Sequence, residues 1–127
     1  MTSMAWSVAT LRTFDKWFLG LAEGERESVR AAIRLLAEYG PTLGHPHTSD
    51  IKGSKYGEMR ELRVQVGGRP FRVLYAFDAT RTAILILGGD KTGDDRWYDD
   101  NVPKADRLYG AHLASLPPRP KRKRRKR

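Results

Sequence analysis

With 127 residues, 39% of them hydrophobic, the chain has enough apolar surface for one modest core and too little for two. It contains no cysteine, which excludes a disulfide framework, a zinc–thiolate site and a thiol nucleophile. The formal net charge of +9 points to a polyanion, yet Arg119 and the run Lys121 to Arg127 hold 8 of the 24 Lys and Arg, leaving 16 against 15 acidic residues, or +1, for residues 1–118.

No basic-then-apolar leader follows Met1 and no apolar run approaches bilayer length, so a soluble, cytoplasmic chain without a membrane partner is expected. Trp6 and Val8 read as a short leading strand. Phe14, Trp17, Phe18 and Leu21 then recur at threes and fours, the mark of one helix face, with Thr10 or Thr13 as its cap. Over Glu23 to Tyr39 a second helix is expected: Val29, Ala32, Ile33, Leu36 and Tyr39 share a face, charges take the other, and Gly40-Pro41 ends it. From Gly40 to Tyr56, Pro41, Gly44, Pro46 and Gly53 interrupt any periodicity, which predicts a long irregular loop.

Strands follow. Leu62, Val64 and Val66 alternate with Glu61, Arg63 and Gln65; Gly67-Gly68 supplies the positive φ of a tight hairpin; and Pro70 opens the return strand, Phe71 to Phe77. Asp78 to Arg81 turns the chain, and the unbroken apolar run Ala83 to Leu87 predicts a strand covered on both faces and closed by Gly88-Gly89. Asp94 and Asp95 can cap a last helical segment carrying Trp97, Ala105, Leu108, Tyr109, His112 and Leu116, with Pro103 starting or kinking its second half. The expected product is an α+β domain over residues 1–116, followed by a disordered basic tail over 117–127.

The chemistry on offer is cationic. A two-residue turn at Gly67-Gly68 sets Arg63 nearly opposite Arg72, so both can project from one face. Lys91, in the glycine-flanked loop after the next strand, and Arg96 and Tyr98 at the start of the last helix can join them on one concave surface. The plainer alternative is a set of solvated strand residues with one structural ion pair, Arg63 with Glu61 or Asp90. If the groups converge, they suit phosphoryl transfer on RNA without a metal. A ribose 2′-hydroxyl attacks the adjacent phosphorus, and guanidinium groups stabilise the charge that builds in the transition state. Lys91 then acts as base or orients the 2′-hydroxyl, and Tyr98 gives a proton to the leaving oxygen or stacks on a base. A buried core tyrosine is the plainer reading of Tyr98.

Weaker candidates are set aside. His45, His47 and Asp50 resemble half a metal site with no third strong ligand nearby, and Asp94, Asp95, Asp99 and Asp100 read as charges favouring a helix start rather than as magnesium ligands. Gly88-Gly89-Asp90-Lys91-Thr92 has the letters of a phosphate-binding loop in the wrong order. No cofactor or metal is called for.

Arg60-Glu61-Leu62-Arg63, the segment Gly67 to Phe77 and the segment Leu85 to Gly93, with Gly40-Pro41-Thr42-Leu43-Gly44 before them and Ala105-Asp106-Arg107-Leu108-Tyr109 after, resemble the HigB branch of the RelE/ParE toxins. The likeness covers residues 5–116. It implies a RelE-like fold: an N-terminal helical hairpin packed on a mostly antiparallel four-stranded sheet, with a C-terminal helix. It implies a toxin of a type II toxin–antitoxin system, an endoribonuclease that cuts messenger RNA at the ribosome, restrained by a HigA-like helix-turn-helix antitoxin. By that likeness the catalytic groups are Arg63, Arg72, Lys91 and Tyr98, while another family lysine is replaced here by Glu61, which leaves the general base unassigned. RNA contacts are expected from Arg60, Arg96 and the tail cations Arg119, Lys121, Arg122, Lys123, Arg124, Arg125, Lys126 and Arg127. Two alternatives share the architecture: a ParE-like toxin that poisons gyrase, and a non-enzymatic RNA-binding or regulatory module.

Overall fold

The computed structural model describes residues 5–117. Five strands and three helices follow in order: β1 Ser7–Thr10, α1 Arg12–Leu19, α2 Glu23–Tyr39, β2 Thr48–Asp50, β3 Arg60–Val66, β4 Arg69–Phe77, β5 Thr82–Asp90 and α3 Trp97–Ser115. They form one sheet in the order β1-β5-β4-β3-β2, with β1 parallel to β5 and every other pair antiparallel. No helix among the described residues is long and apolar enough to cross a membrane.

The hairpin forms as the alternation predicts. Gly67 and Gly68 take φ of 57° and 81°, and Arg63 pairs with Arg72 across β3 and β4. Helix α2 has the expected bounds, and Glu25 reaches back to accept the Ala22 N–H at 2.8 Å. Side chains at alternate strand positions sort onto two faces. Leu62, Val64, Val66, Phe71, Val73, Tyr75 and Leu85 meet Phe14, Val29 and Leu36 of the α1–α2 hairpin. On the other face Leu74, Ala76, Ile84 and Ile86 meet Trp97, Val102, Ala105 and Tyr109 of α3. The pairing slips between Leu74 and Tyr75, so Ile86 and its neighbour Leu87 both join the α3 core.

Four expectations are corrected. The sheet has five strands, because the segment expected as an irregular loop holds a 3₁₀ turn at Gly40–Thr42 and β2, which extends the sheet edge beside β3. Strand β5 runs through Gly88-Gly89 instead of closing there. A Cβ at Gly88 would collide with the Trp17 ring on one face, and one at Gly89 would lie 2.6 Å from Trp97 Nε1 on the other, so these glycines admit two indoles. Helix α1 ends at Leu19, short of Leu21, and is capped by neither threonine; Leu11 holds the N-cap position. Helix α3 starts after Arg96, where the Asp94 carboxylate accepts the Arg96 N–H at 3.0 Å, and carries Pro103 within it. Residues 118–127 of the expected tail lie outside the described residues.

Candidate functional site

Because Leu62 and Val64 face the hairpin, their neighbours Glu61 and Arg63 face α3, and so does Arg72 opposite Arg63. The two arginines differ in burial. Arg63 is half-buried and forms no ion pair among the described residues, whereas Arg72 is 4% exposed. Arg72 Nη1 donates to the Phe71 carbonyl at 2.9 Å, and its Nε stands 3.5 Å from Glu61 Oε1. Glu61, itself buried, accepts hydrogen bonds from the Tyr98 hydroxyl at 2.6 Å and from Ser49 Oγ at 2.5 Å. Elements distant in sequence thus close on one carboxylate: β2 brings Ser49, β4 brings Arg72 and α3 brings Tyr98. The ion pairs expected of Arg63 fall instead to Arg72, with Glu61, and to Arg69, whose Nη1 lies 3.3 Å from Asp90.

Lys91 completes the cluster, its Nζ 5.7 Å from the centre of the Tyr98 ring. Its loop is held rigidly. The Lys91 N–H donates to the Pro70 carbonyl at 3.0 Å, and Asp90 accepts from the Thr92 N–H at 2.9 Å and from Thr92 Oγ1 at 2.5 Å. Burial, and then the hydrogen bond to Glu61, push the Tyr98 phenol above its ordinary pKa, so it stays protonated at neutral pH and remains a donor.

Two expected RNA contacts are not brought to this cluster. Arg60 lies opposite Tyr75 and so shares the hairpin face, where it pairs with Asp50 and donates to Thr48 Oγ1 at 2.9 Å. Arg96 is exposed and stands 3.8 Å from Asp99. The tail cations Arg119 and Lys121 to Arg127 lie outside the described residues. Asp50 serves Arg60 rather than the two histidines, and no group of three or more His, Asp or Glu placed to hold a metal occurs among the described residues.

A cleft of about 350 Å³ opens beside the cluster, lined by Asp50, Ile51, Lys52, Glu61, Tyr98 and Asp99. Ile51 and Lys52 contribute to its wall, and the chain that follows them is fastened to α3. The buried Asp106 carboxylate accepts from Ser54 Oγ at 2.6 Å and from the Lys55 N–H at 3.0 Å. Tyr56 stands edge-on against Tyr109 at 5.0 Å, over Gly110, where a Cβ would lie 2.7 Å from the Tyr56 hydroxyl. Glu61, Ser49 and Asp106 were missing from the candidate set read from the sequence. Glu61 carries a usable signal, since it lies two strand positions from Arg63. Ser49 and Asp106 carry none, because pairing and distant packing alone place them.

The arrangement joins cations, a protonated phenol and a buried carboxylate beside one cleft, on a fold shared with known toxins. A mutant of the E. coli toxin RelE in its free state matches with a TM-score of 0.56 at 14% identity, over 80% of this chain and 97% of that one. The RelE–RelB complex from Pyrococcus horikoshii matches at 0.52 and 16%, over 69% and 97%. Identities that low speak for the fold alone, and the fold is RelE-like.

Sequence likeness narrows it. The model of the phage-derived Gp49-like family (DUF891) matches residues 16–110. The protein named as toxin HigB3 of Mycobacterium tuberculosis is 44% identical over 110 residues, 86% of this chain and 95% of its own length. The one named as toxin HigB2 in the same organism is 39% identical over 127 residues, 98% of this chain but 63% of its own length. The chain belongs to the Gp49-like family, alongside the HigB toxins, and is a toxin of the type II toxin–antitoxin class.

Proposed function

We propose that this toxin is an endoribonuclease that cuts messenger RNA at the ribosome, without a metal, and that a HigA-like helix-turn-helix antitoxin restrains it. The observation that carries the reading is the contact of Arg72 and Tyr98 with one carboxylate, Glu61, with Arg63 across from Arg72 and Lys91 over the Tyr98 ring. In this reading the scissile phosphate sits against Arg63, Arg72 and Lys91, whose fixed charges stabilise the oxygens as negative charge builds on them. Glu61 takes the proton of the attacking 2′-hydroxyl, the O2′–P bond forms, and the P–O5′ bond breaks as Tyr98 protonates the departing oxygen. Glu61 then returns its proton to the phenolate across the 2.6 Å hydrogen bond, which restores the starting state. The tail cations are assigned to ribosomal RNA, with log affinity falling by roughly 0.7 per neutralised phosphate per decade of salt.

RNA 5′ ends mapped after brief induction test the reading. Wild type is expected to leave codon-phased 5′-hydroxyl ends; Arg72→Ala and Tyr98→Phe, checked for folding by circular dichroism, are expected to leave few or none. Toxicity that survives in Arg72→Ala without such ends removes the reading and turns attention to gyrase. Deleting 119–127 is expected to weaken ribosome binding and flatten its salt dependence while cleavage persists; equal binding by both forms across a salt series removes the tail's assignment.

A further inference from the structure

Strand β2 is three residues long and lies at the edge of the sheet, so its own pairing with β3 does little to hold it. Side chains fix it instead. On the hairpin face the Arg60 guanidinium spans the strand, paired through Nη1 with Asp50 and donating from Nη2 to Thr48 Oγ1 at 2.9 Å. The Thr48 hydroxyl, 1% exposed, in turn donates to the Leu43 carbonyl at 2.6 Å. The pleat turns Ser49, between them, to the α3 face, where it stands directly across from Glu61 and donates to Glu61 Oε2 at 2.5 Å. An arginine on one face of the sheet thus holds the strand that presents a hydroxyl on the other.

That hydroxyl controls the orientation of the carboxylate. Rotation about the last bond of a glutamate side chain is soft and nearly two-fold, so a single hydrogen bond leaves the carboxylate plane free to swing. Tyr98 holds Oε1 at 2.6 Å and Ser49 holds Oε2, and together they fix the plane. Arg72 replaces neither, because its Nε, 3.5 Å from Oε1, makes no hydrogen bond and supplies charge without direction. In the proposed reaction Tyr98 gives its proton to the departing oxygen and ceases to donate to Glu61. Among the described residues Ser49 is then the one remaining hydrogen-bond partner of the Glu61 side chain. A hydroxyl suits both protonation states, since it donates to a carboxylate and turns to accept from the acid.

Resting on the reading of Glu61 as the base of a nuclease, we propose that Ser49 is a positioning residue for that base, and that Arg60 acts on cleavage from the far side of the sheet by stapling β2 rather than by touching RNA.

Three variants of the full chain, Ser49→Ala, Ser49→Thr and Arg60→Lys, test this through the cleavage of messenger RNA on ribosomes. A positioned base contributes roughly 10²–10⁴-fold, and misplacing it forfeits part of that, so Ser49→Ala is expected to lower kcat about tenfold and leave KM within about twofold. Ser49→Thr keeps the hydroxyl and is expected to stay within about threefold of wild type. Arg60→Lys keeps the charge but loses the planar fork that reaches Thr48 and Asp50 together; it is expected to lower kcat about threefold while KM and its salt dependence stay. An unchanged kcat in Ser49→Ala, or a loss that threonine does not rescue, overturns the role of Ser49. An unchanged kcat in Arg60→Lys overturns the staple. Each of these outcomes leaves the nuclease reading standing.

The Tyr98 phenol reports on the same carboxylate without any cleavage. Without Ser49, Glu61 faces the phenolate with its charge less compensated, so in ring-labelled tyrosine spectra Tyr98 is expected to titrate higher in Ser49→Ala than in wild type and to return in Ser49→Thr. If wild type makes no cuts while that shift appears, the nuclease reading falls and the hold of Ser49 on Glu61 stands. If the shift is absent, the hold itself is refuted.

Discussion

The two faces of one sheet are built to different ends. Against the α1–α2 hairpin, the strands present Leu62, Val64, Phe71, Val73 and Leu85, and the cations of that side, Arg60 and Arg69, sit at the margins in ion pairs with Asp50, Glu25 and Asp90. Against α3, the same strands bury Glu61 and Arg72, and α3 itself buries Asp106, so the three buried charged residues among the described residues lie on this face. A domain this small gains little from a buried ion pair, which apolar residues of similar volume replace at no loss of stability. Charges held inside the α3 face are therefore costly to keep, and the hairpin face supplies the stability that tolerates them.

Arg72→Ala breaks that contrast hardest. It leaves Glu61 buried without its counter-charge, with an expected loss of about 3 kcal/mol in urea unfolding and of at least about 100-fold in cleavage. Adding Glu61→Gln should return most of the stability and none of the cleavage; a single variant as stable as wild type, or a double variant that cuts RNA, contradicts the division. On the other face Phe71→Ala, at 1% exposure and packed on Trp17, is expected to cost about 3 kcal/mol by the same measurement. Cut positions should not move, since no polar group of the cluster touches that ring.

The hairpin face was legible in the sequence because its information is local. Period-two alternation, a Gly-Gly turn and a charged-or-apolar helix pattern set β3, β4 and α2 without reference to anything distant. Arg63 opposite Arg72 follows from the same counting. What failed to show were features held by partners far along the chain. Strand β2 is three residues long and exists because Thr48, Ser49 and Asp50 pair with Leu62, Glu61 and Arg60. Gly88-Gly89 has the letters of a strand end, but Trp17 and Trp97 need the space. Glu61, noted as standing where a family lysine is expected, is the residue on which the cluster closes. Arg60 carries the same charge as Arg63, but the strand pleat sets it opposite Tyr75 on the hairpin face.

Asp106→Ala sharpens the contrast within the α3 face, between the cleft's wall and its chemistry. The carboxylate satisfies Ser54 Oγ and the Lys55 N–H, and its loss frees segment 51–58 at about 1–2 kcal/mol. Faster hydrogen exchange confined to residues 51–58 is the expected signature. Exchange that rises equally in α1 and α2 would mean that Asp106 supports the whole domain rather than the wall.

The smallest effect separates the faces by proton chemistry. Tyr75 on the hairpin face and Tyr98 on the α3 face both have raised pKa values, burial being the leading cause in each. Beyond burial they differ: Arg60 pulls Tyr75 down, whereas the hydrogen bond to Glu61 pushes Tyr98 further up. Glu61→Gln removes the charge that the phenolate of Tyr98 must face, so its titration should move down towards the ordinary value near 10 while that of Tyr75 stays. Ring-labelled tyrosine carbon spectra followed to high pH read both in one experiment, with Tyr109, pushed up to about 12 chiefly by burial, as the internal reference. The linked stability has a definite sign. A phenol whose folded pKa exceeds its unfolded value contributes stability that is complete below about pH 10 and is lost as pH rises through the folded value. Wild type should therefore weaken above that point, and Tyr98→Phe should lose less over the same range. If Glu61→Gln shifts Tyr75 as much as Tyr98, the carboxylate acts on the domain as a whole, and the two faces are not chemically separate.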